Sequence, residues 1–150
     1  QDITINLRHA DVLKNSNLKA TPKRLALMSL LAQASVYLGP QEIWDALRKE
    51  FKTLGLPTVY RNLEELVDAG LVTIIHHPNR QLYYYLCQNP SHHHHFICLE
   101  CGRVEDIDFC AEAQLAKEVN RKHQGKVLSH VLQVNGLCRL CMNGRGKALK

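Results

Sequence analysis

The sequence predicts an α+β protein of two domains, with helices and a hairpin first and a mixed α/β domain built around cysteines second. Three observations support this prediction. Apolar residues recur at helical spacing between residues 21 and 70, and two β-rich runs follow them. All six cysteines lie after residue 86, and every histidine except His9 lies after residue 75. We therefore expect one domain over residues 1–85, a hinge near residues 86–91 and a second domain over residues 92–150.

The helices of the first domain are marked by their start and stop residues. Thr21 can accept an N-cap hydrogen bond and Pro22 suits the first helical position, so a helix is predicted to begin there. Gly39-Pro40 opens a second helix, and Thr58 is expected to cap a third that Gly70 ends. The apolar face of this third helix is formed by Val59, Leu63, Leu66 and Val67.

Two β-rich runs, residues 71–75 and 82–86, follow the third helix and are separated by turn-forming residues at 77–80. Three helices followed by a two-stranded hairpin are typical of a winged helix-turn-helix domain. The first domain is therefore predicted to have this fold.

Tyr60 and Arg61 are predicted to project outward from the first turn of the third helix. A recognition helix enters the major groove with its N-terminal residues at the base edges, and arginine can donate two hydrogen bonds to guanine. The pattern also fits an ordinary amphipathic helix with solvated charges. The hairpin that follows favours a helix that contacts DNA.

The second domain is predicted to contain strands at 96–98, 104–107 and 127–134, and a helix at 112–123 that Gly125 stops. The third of these strands is strongly β-rich and leads into the last cysteine pair. The final nine residues are polar and basic and are expected to form a loose tail.

Cys98-x-x-Cys101 and Cys138-x-x-Cys141 have the spacing of a tetrahedral zinc site, because a two-residue gap lets a tight turn aim both sulfurs at one point. Gly102 would relieve the first turn. The long interval between the pairs means that a strand, a helix and a strand must fold back to bring them together. Two disulfides, an iron–sulfur or rubredoxin-like centre, and free structural cysteines are the alternatives.

Four consecutive histidines, residues 92–95, precede the first cysteine pair. Alternation along an extended chain places His93 and His95 on one face and His92 and His94 on the other, so two metal sites could share this stretch. The first set mixes sulfur, nitrogen and oxygen ligands, which suits Zn²⁺ better than Fe²⁺: Cys87, His93, His95 and Asp106. The second set is His92, His94, His130 and an acid such as Glu112. A surface polyhistidine loop that binds metal loosely is the alternative, and Cys110 is expected to pack or to remain a spare thiol.

Composition excludes several classes of protein. No apolar run approaches the roughly 20 residues that cross a bilayer, and no charged-then-apolar leader opens the sequence, so we expect no membrane partner and a cytoplasmic location. The net charge of +5 is spread over both halves and supports nucleic-acid binding only weakly. A zinc hydrolase or deaminase is disfavoured because neither His-x-Glu nor Pro-Cys occurs. An RNA-binding zinc ribbon would not need Tyr60 and Arg61 on a helix before a wing.

Taken together, these motifs resemble the ferric uptake regulator family of bacterial metal-dependent repressors over nearly the whole chain. The segments that carry the resemblance are Leu18–Arg24, Pro57–Leu63, Asp68–Leu71, His92–Gly102 and Gly136–Cys141. The resemblance implies a homodimer with an N-terminal winged helix, which binds a pseudo-palindromic operator in double-stranded DNA, and a C-terminal α/β dimerisation domain. The DNA contacts are expected from Lys19, Thr58, Tyr60 and Arg61, with Lys19 entering the minor groove.

The same resemblance implies metal roles for the clustered side chains. The four paired cysteines match a structural zinc site, and His93, His95 and Asp106 match ligands of a regulatory metal between the domains. A further site in the family is matched by His92, His94 and His130.

Departures from the family pattern indicate the zinc uptake regulators. Iron- and peroxide-sensing members supply a histidine where this chain has Tyr37, and an acid near Tyr85. Cys87, two residues on, resembles the zinc regulators, while a wing ligand of some of them falls at Thr73. The fourth regulatory ligand is expected to be Asp106 or a wing histidine, His76 or His77. The sequence therefore predicts a zinc-sensing repressor with structural and regulatory Zn²⁺, with Fe²⁺ or Mn²⁺ and an iron or peroxide sensor as the alternatives.

Overall fold

The computed structural model of the chain describes residues 3–89 and 91–145. The chain divides into two units, an N-terminal unit that ends at residue 88 and a C-terminal unit that begins at residue 89. In the N-terminal unit the described elements are α1 Ile3–Asn15, α2 Pro22–Gln33, α3 Pro40–Leu47, α4 Leu56–Asp68, β1 Thr73–His76 and β2 Leu82–Tyr85. In the C-terminal unit they are β3 His94–Cys98, β4 Val104–Ile107, α5 Glu112–His123, β5 Gln133–Gly136 and α6 Arg139–Met142. Of the predicted tail, residues 146–150 lie outside the described residues.

The predicted start of α2 is confirmed, because Thr21 Oγ1 accepts a hydrogen bond from the Arg24 backbone N–H at 3.3 Å and Pro22 is the first helical residue. The prediction that Thr58 caps the third predicted helix, which is α4, is wrong. Gly55 occupies the N-cap of α4, and Thr58 lies inside the first turn. Pro57 also lies in this first turn, which tolerates a proline because its N–H groups have no intrahelical acceptor.

Helix α1 was not predicted from the sequence. It buries Leu13 completely and His9 almost completely, whereas Ile5 and Leu7 are exposed. Its buried face therefore mixes an apolar residue with an imidazole, and this mixture hides the helical periodicity.

The N-terminal unit is built around one apolar core to which every helix and the hairpin contribute. The predicted inner face of α4 is confirmed for Val59, Leu63 and Leu66, while Val67 is partly buried against the core. Strands β1 and β2 pair antiparallel, and Leu38 extends this hairpin by exchanging two backbone hydrogen bonds with Tyr84. The core residues are Leu13, Leu27, Met28, Leu31, Ile43, Leu47, Leu54, Val59, Leu63, Leu66, Val72, Tyr84 and Leu86.

The C-terminal unit contains a three-stranded sheet of order β4-β3-β5, in which β3 pairs antiparallel with β4 and parallel with β5. The ring of Phe96 on β3 lies against Gly136 at the end of β5. A Cβ atom at position 136 would lie 2.9 Å from Phe96 Cε2, so the close approach requires glycine. The four paired positions of β3 and β5 include Cys98 opposite Gly136.

The predicted strand at 127–134 is mostly wrong, since β5 covers only Gln133–Gly136. Residues 127–132 have no strand partner within the part of the chain that the structure describes. Leu128 and Val131 are 87% and 90% exposed. β-propensity expresses packing on neighbouring strands, and this segment has none to pack on.

Over the described ranges, no helix is both long and apolar enough to cross a lipid bilayer.

Candidate metal centres and nucleic-acid interface

The first turn of α4 presents its polar side chains as predicted. Tyr60 is 43% exposed and Arg61 is also exposed, whereas Thr58 is half-buried. Lys19 is exposed in the segment that precedes α2. The structure thus leaves these side chains, apart from part of Thr58, accessible to a macromolecular ligand.

Arg24 ties α4 to the segment that carries Lys19. Its Nε donates to Asn62 Oδ1 at 3.2 Å, and its Nη1 donates to the Lys19 carbonyl oxygen at 3.1 Å. The guanidinium also forms an ion pair with Glu65. Only 13% of the Arg24 side chain is exposed, so it acts mainly as an internal connector.

A cavity of about 450 Å³ lies beside this network, between the start of α2 and the start of α4. Cationic and hydroxyl side chains are the groups that proteins use to hold phosphate oxygens of nucleic acids. Both kinds are present among the residues that line the cavity, together with apolar and amide side chains. The lining residues are Thr21, Pro22, Lys23, Arg24, Phe51, Thr58, Arg61 and Asn62.

The four paired cysteines converge in the C-terminal unit, with every Sγ atom within 4.8 Å of the others. Tetrahedral zinc with bonds of about 2.3 Å to sulfur requires Sγ–Sγ separations of about 3.8 Å. Cys101 Sγ lies 3.7 Å from Cys138 Sγ, which fits such a site and is far from the roughly 2.05 Å of a disulfide bond. All four cysteines are buried, and Phe96 and Leu140 pack around them.

Backbone turns around the first pair prepare a thiolate. Gly102 adopts a φ of 78°, as predicted for a residue that relieves this turn. Burial raises the pKa of Cys98, but hydrogen bonds from the backbone of Cys101, Cys138 and Glu100 outweigh it and lower the pKa to about 6. Burial raises the pKa of Cys101 and of Cys141, and side-chain hydrogen bonds with Cys98 and Cys138 raise both further.

His93, His95 and Asp106 form a second cluster within the C-terminal unit. Asp106 lies directly opposite His95 across the β3–β4 pair, and Asp106 Oδ1 lies 3.6 Å from His93 Nε2 and 3.7 Å from His95 Nε2. The two Nε2 atoms are 3.0 Å apart. Alternation along the strand therefore brings His93 and His95 together, as the sequence predicted.

Hydrogen bonds orient this cluster for metal binding. His93 Nδ1 lies 2.6 Å from the Ser91 carbonyl oxygen, which can only accept, so Nδ1 carries the proton and Nε2 offers its lone pair. Asn89 Nδ2 donates to Asp106 Oδ2 at 2.9 Å. Burial lowers the pKa of His95, and the neighbouring His93 lowers it further against the opposing effect of Asp106. A neutral imidazole is the form that binds a cation.

The remaining candidates for the regulatory site belong to the N-terminal unit. Cys87 lies at its end and is half-buried. His76 is exposed on β1, and the His77 ring lies 5.3 Å from the Tyr83 ring and 6.1 Å from the Tyr37 ring. Since Asn79 N donates to His77 Nδ1 at 3.1 Å, His77 already has a role within the wing.

The opposite face of the histidine run forms a third cluster. His94 Nε2 lies 3.1 Å from His130 Nε2, and Cys110 Sγ lies 3.3 Å from both His92 Nε2 and His130 Nε2. The structure groups Cys110, and not the predicted Glu112, with these histidines. Glu112 begins α5, whereas Cys110 lies in the turn between β4 and the helix. The sequence feature that could have identified Cys110 as a neighbour of the histidines is its position shortly after β4, the strand that pairs antiparallel with β3.

Comparisons with known proteins agree over most of the chain. The sequence model of the Ferric uptake regulator family matches residues 15–135. A ferric uptake regulation protein of Legionella pneumophila is 31% identical over 137 residues, which cover 90% of this chain and 99% of that protein. A zinc uptake regulation protein of Mycobacterium tuberculosis is 32% identical over 126 residues, covering 84% and 96%.

The fold is similar to that of solved proteins as well. A structure described as a zinc uptake regulator complexed with zinc and DNA has a TM-score of 0.75 and 26% identity to this chain. The match covers 96% of this chain and 98% of that one.

Proposed function

The chain belongs to the ferric uptake regulator family, and from that premise we propose that it is a zinc-sensing repressor of metal-homeostasis genes. Proteins of this family are metal-responsive DNA-binding regulators of transcription, so the chain is a regulator and not an enzyme. The zinc assignment, the ligand sets, the domain boundaries with a hinge at residues 86–91, the operator and a cytoplasmic location are parts of the proposal.

The observation that carries the proposal is the His93–His95–Asp106 cluster, with one tautomer fixed and its second imidazole held neutral. Cys87 lies six residues before His93 in the sequence, and we assign it as the thiolate ligand of this site. A thiolate shifts the preference of a nitrogen and oxygen set toward Zn²⁺ and away from Fe²⁺ and Mn²⁺. When bound, the ion would supply a cross-link between ligands on the two sides of the hinge. His76 and His77 are the alternatives to Asp106.

The four paired cysteines are assigned to a permanent structural zinc ion. Their burial and the separation of Cys101 and Cys138 support a closed site with no position for a substrate. The regulatory response is therefore assigned to the histidine cluster alone.

The proposed DNA contacts are Tyr60, Arg61 and Thr58 in the major groove and Lys19 in the minor groove. Exposure of Tyr60 and Arg61 at the N-terminal turn of α4 supports this assignment. Each chain contributes one recognition helix, so a homodimer would read a pseudo-palindromic operator. A hinge held in one arrangement fixes the distance between the two helices, and affinity then depends on how much better zinc binds that arrangement.

Apolar side chains left exposed in the C-terminal unit support the homodimer. α5 buries none of its residues in the single chain. Large apolar side chains exposed in this unit are Phe109, Leu115, Leu128, Val131, Leu132, Val134, Leu137 and Met142. Large apolar side chains exposed in a single chain are typical of residues that a partner covers.

A metal-by-metal titration tests the proposal. DNA bound by the zinc-loaded protein is first selected from a random pool, and its affinity is then measured by fluorescence anisotropy against buffered free Zn²⁺, Fe²⁺ and Mn²⁺. We expect Zn²⁺ to drive binding at the lowest free concentration. Cys87→Ser should weaken the zinc response at least tenfold while one tightly bound zinc per chain remains. A response driven best by Fe²⁺ or Mn²⁺, or an unchanged Cys87→Ser response, would contradict the assignment.

A further inference from the structure

We propose that the wing of the N-terminal unit presents Arg80 to a backbone phosphate of the operator, beside the base contacts of α4. The wing tip is the turn of residues 77–81 that joins β1 to β2. The inference rests on the proposed DNA-binding role of the chain, to which it adds a contact residue and the network that positions it. It does not depend on which metal the chain senses.

The backbone of Arg80 departs from the usual residue preference of a turn. The Arg80 N–H donates to the His77 carbonyl oxygen at 3.0 Å, and Pro78 occupies the second position of the turn that this bond closes. The fourth position of such a turn favours glycine. Arg80 nevertheless has a φ of 69°, in the left-handed region that a side chain disfavours. A strained and charged residue at a position suited to glycine indicates a function for its side chain.

A network of side chains holds the turn in this conformation. Asn79 lies at its centre, since its Oδ1 accepts from the Gln81 backbone N–H at 2.9 Å and its Nδ2 donates to the Tyr83 hydroxyl at 2.9 Å. That hydroxyl donates to Gln81 Oε1 at 3.2 Å. The Asn79 backbone N–H donates to His77 Nδ1 at 3.1 Å. The Tyr83 ring, 4.8 Å from the ring of Tyr37, connects the network to the segment that precedes α3.

The wing lies beside the turn of α4 that carries the proposed base contacts. Tyr84 on β2 belongs to the same buried cluster as Val59 and Leu63 of α4. Burial raises the pKa of Tyr84, and the neighbouring Tyr60 and Glu64 raise it further, so both outward residues of α4 lie close to β2. The recognition helix and the wing therefore form parts of one surface.

The length of the wing matches the dimensions of DNA. Arg80 precedes Tyr84 by four residues, a separation of about 13 Å along an extended strand. The major groove is about 12 Å wide and is bordered on each side by the sugar–phosphate backbone. With α4 in the groove, the wing tip would meet this backbone and not the bases that α4 contacts.

The Arg80 side chain has the chemistry that a phosphate requires. It is exposed, and within the part of the chain that the structure describes no carboxylate pairs with it, whereas Arg48 and Arg121 each pair with an acid on the same stretch of chain. A guanidinium can donate two parallel hydrogen bonds to a phosphate group. Phosphate contacts position a protein on DNA without reading the sequence. We therefore expect Arg80 to contribute affinity and not sequence preference.

Salt-dependent DNA binding by the full chain tests the contact. Fluorescence anisotropy is measured with the selected operator and with an unrelated duplex of equal length, in whichever metal gives the tightest binding. Arg80→Ala should weaken binding to both duplexes by roughly tenfold. It should also lower the slope of log Kd against log salt concentration by about 0.9 for each wing, or about 1.8 for a dimer. Arg121→Ala removes the same charge from α5 and should change neither quantity.

Arg80→Gly separates the function of the side chain from its effect on stability. Glycine adopts the left-handed conformation without steric cost, so the N-terminal unit of Arg80→Gly should unfold at a higher urea concentration than that of Arg80→Ala. DNA affinity should be equally low in the two variants. Fluorescence of the single tryptophan, Trp44, follows unfolding. A purely structural role of Arg80 would instead make affinity recover with stability.

Tyr83→Phe tests the supporting network, because it removes the hydroxyl and keeps the ring. It should weaken DNA binding less than Arg80→Ala does, and it should cause no further loss when combined with Arg80→Ala. Additive losses would overturn the role of the network.

The remaining outcomes separate this contact from the proposed function. Unchanged affinity and salt slope in Arg80→Ala would show that the wing does not contact DNA. A loss confined to the selected operator would show that Arg80 reads bases and would overturn the phosphate assignment. If the wild type bound no DNA with any metal, the proposed function would be wrong and this contact with it.

Discussion

The two units are stabilised by different interactions. The N-terminal unit buries thirteen side chains in one apolar cluster, among them Leu63 and Leu66 with no exposed surface. Among the described residues of the C-terminal unit, the four paired cysteines form a buried cluster, and α5 buries none of its residues. Apolar burial stabilises a fold at any metal concentration, whereas a cysteine cluster depends on its ion. We therefore expect the stability of the C-terminal unit to depend on bound metal, whereas that of the N-terminal unit should not.

The largest expected effect separates the two units by removing a sulfur ligand. Cys98→Ser should abolish zinc binding by the four-cysteine cluster, and structural zinc in small domains is worth on the order of 10 kcal/mol. The C-terminal unit should then lose cooperative unfolding. The single tryptophan, Trp44, lies in the N-terminal unit and its Nε1 donates to the Leu54 carbonyl oxygen at 2.7 Å, so its fluorescence reports that unit. If the Trp44 unfolding transition of Cys98→Ser differed from that of the wild type, the stability of the N-terminal unit would also depend on the four-cysteine cluster.

The next largest effect is expected from a substitution that creates a cavity in the apolar core of the N-terminal unit. Leu63→Ala should lower the free energy of unfolding of the N-terminal unit by about 2–5 kcal/mol, because its side chain is fully buried. Urea unfolding followed by Trp44 fluorescence measures the change. Leu115→Ala on α5, which is 45% exposed, is the control and should leave this transition within about 0.5 kcal/mol. Equal decreases in the free energy of unfolding for Leu63→Ala and Leu115→Ala would contradict the proposed difference between the two units.

Substitutions on the DNA-facing surface should reduce affinity without disturbing metal binding. Arg61→Ala is expected to cost about 1–3 kcal/mol of binding, as a base or phosphate contact does. Arg24→Lys should cost less, because the lysine keeps the charge but loses the forked contacts to Asn62 and the Lys19 carbonyl. Anisotropy with the selected DNA measures both.

The matched control for these variants is Arg121→Ala, since Arg121 pairs with Glu118 on α5. Its affinity should equal that of the wild type. If Arg24→Lys and Lys19→Ala lower affinity additively in the double variant, Arg24 does not act by positioning Lys19.

The smallest expected effect is a pH dependence confined to the N-terminal unit. Burial lowers the pKa of His9 below 6.5, and the nearby Arg8 lowers it further. His9 Nδ1 lies 3.4 Å from Ser29 Oγ, which donates to Asn6 Oδ1. A histidine whose pKa is depressed by folding stabilises the fold above its unfolded pKa, and this contribution is lost as pH falls through the folded pKa.

The Trp44 unfolding transition should therefore show a stability that declines below about pH 6.5. His9→Gln should flatten this part of the profile. A profile with the same slope in both proteins would exclude His9 as its cause.

Local signals were enough to predict most elements but not the long-range contacts. β4 and α5 have the predicted bounds, and Thr21 and Pro22 start α2 as predicted, since capping and periodicity act within a few residues. α1 was missed because its buried face includes His9. The strand at 127–132 was predicted from β-propensity, which only a neighbouring strand could satisfy.

The candidate sites show the same division. Two-residue cysteine spacing and alternation of the histidines predicted which side chains share a face. Cys110 could not be assigned to His92 and His130, because the fold of the chain after β4 decides whether position 110 or 112 reaches them. Tertiary packing, which no local pattern encodes, also decided that Glu65 would be paired with Arg24.

The contact of Phe96 with Gly136 bears on which alignment β3 adopts with its neighbouring strands. With imidazoles at four successive positions, a shift of β3 by one place would still present a histidine to each cluster. The shifted arrangement would exchange the partners of Asp106 and Cys110 and mismatch both ion sites. The Phe96 ring fits only against a residue without a side chain, Gly136, and this favours the observed alignment over the shifted one. The close approach of Phe96 to Gly136 thus favours the alignment in which each imidazole keeps the neighbours described above.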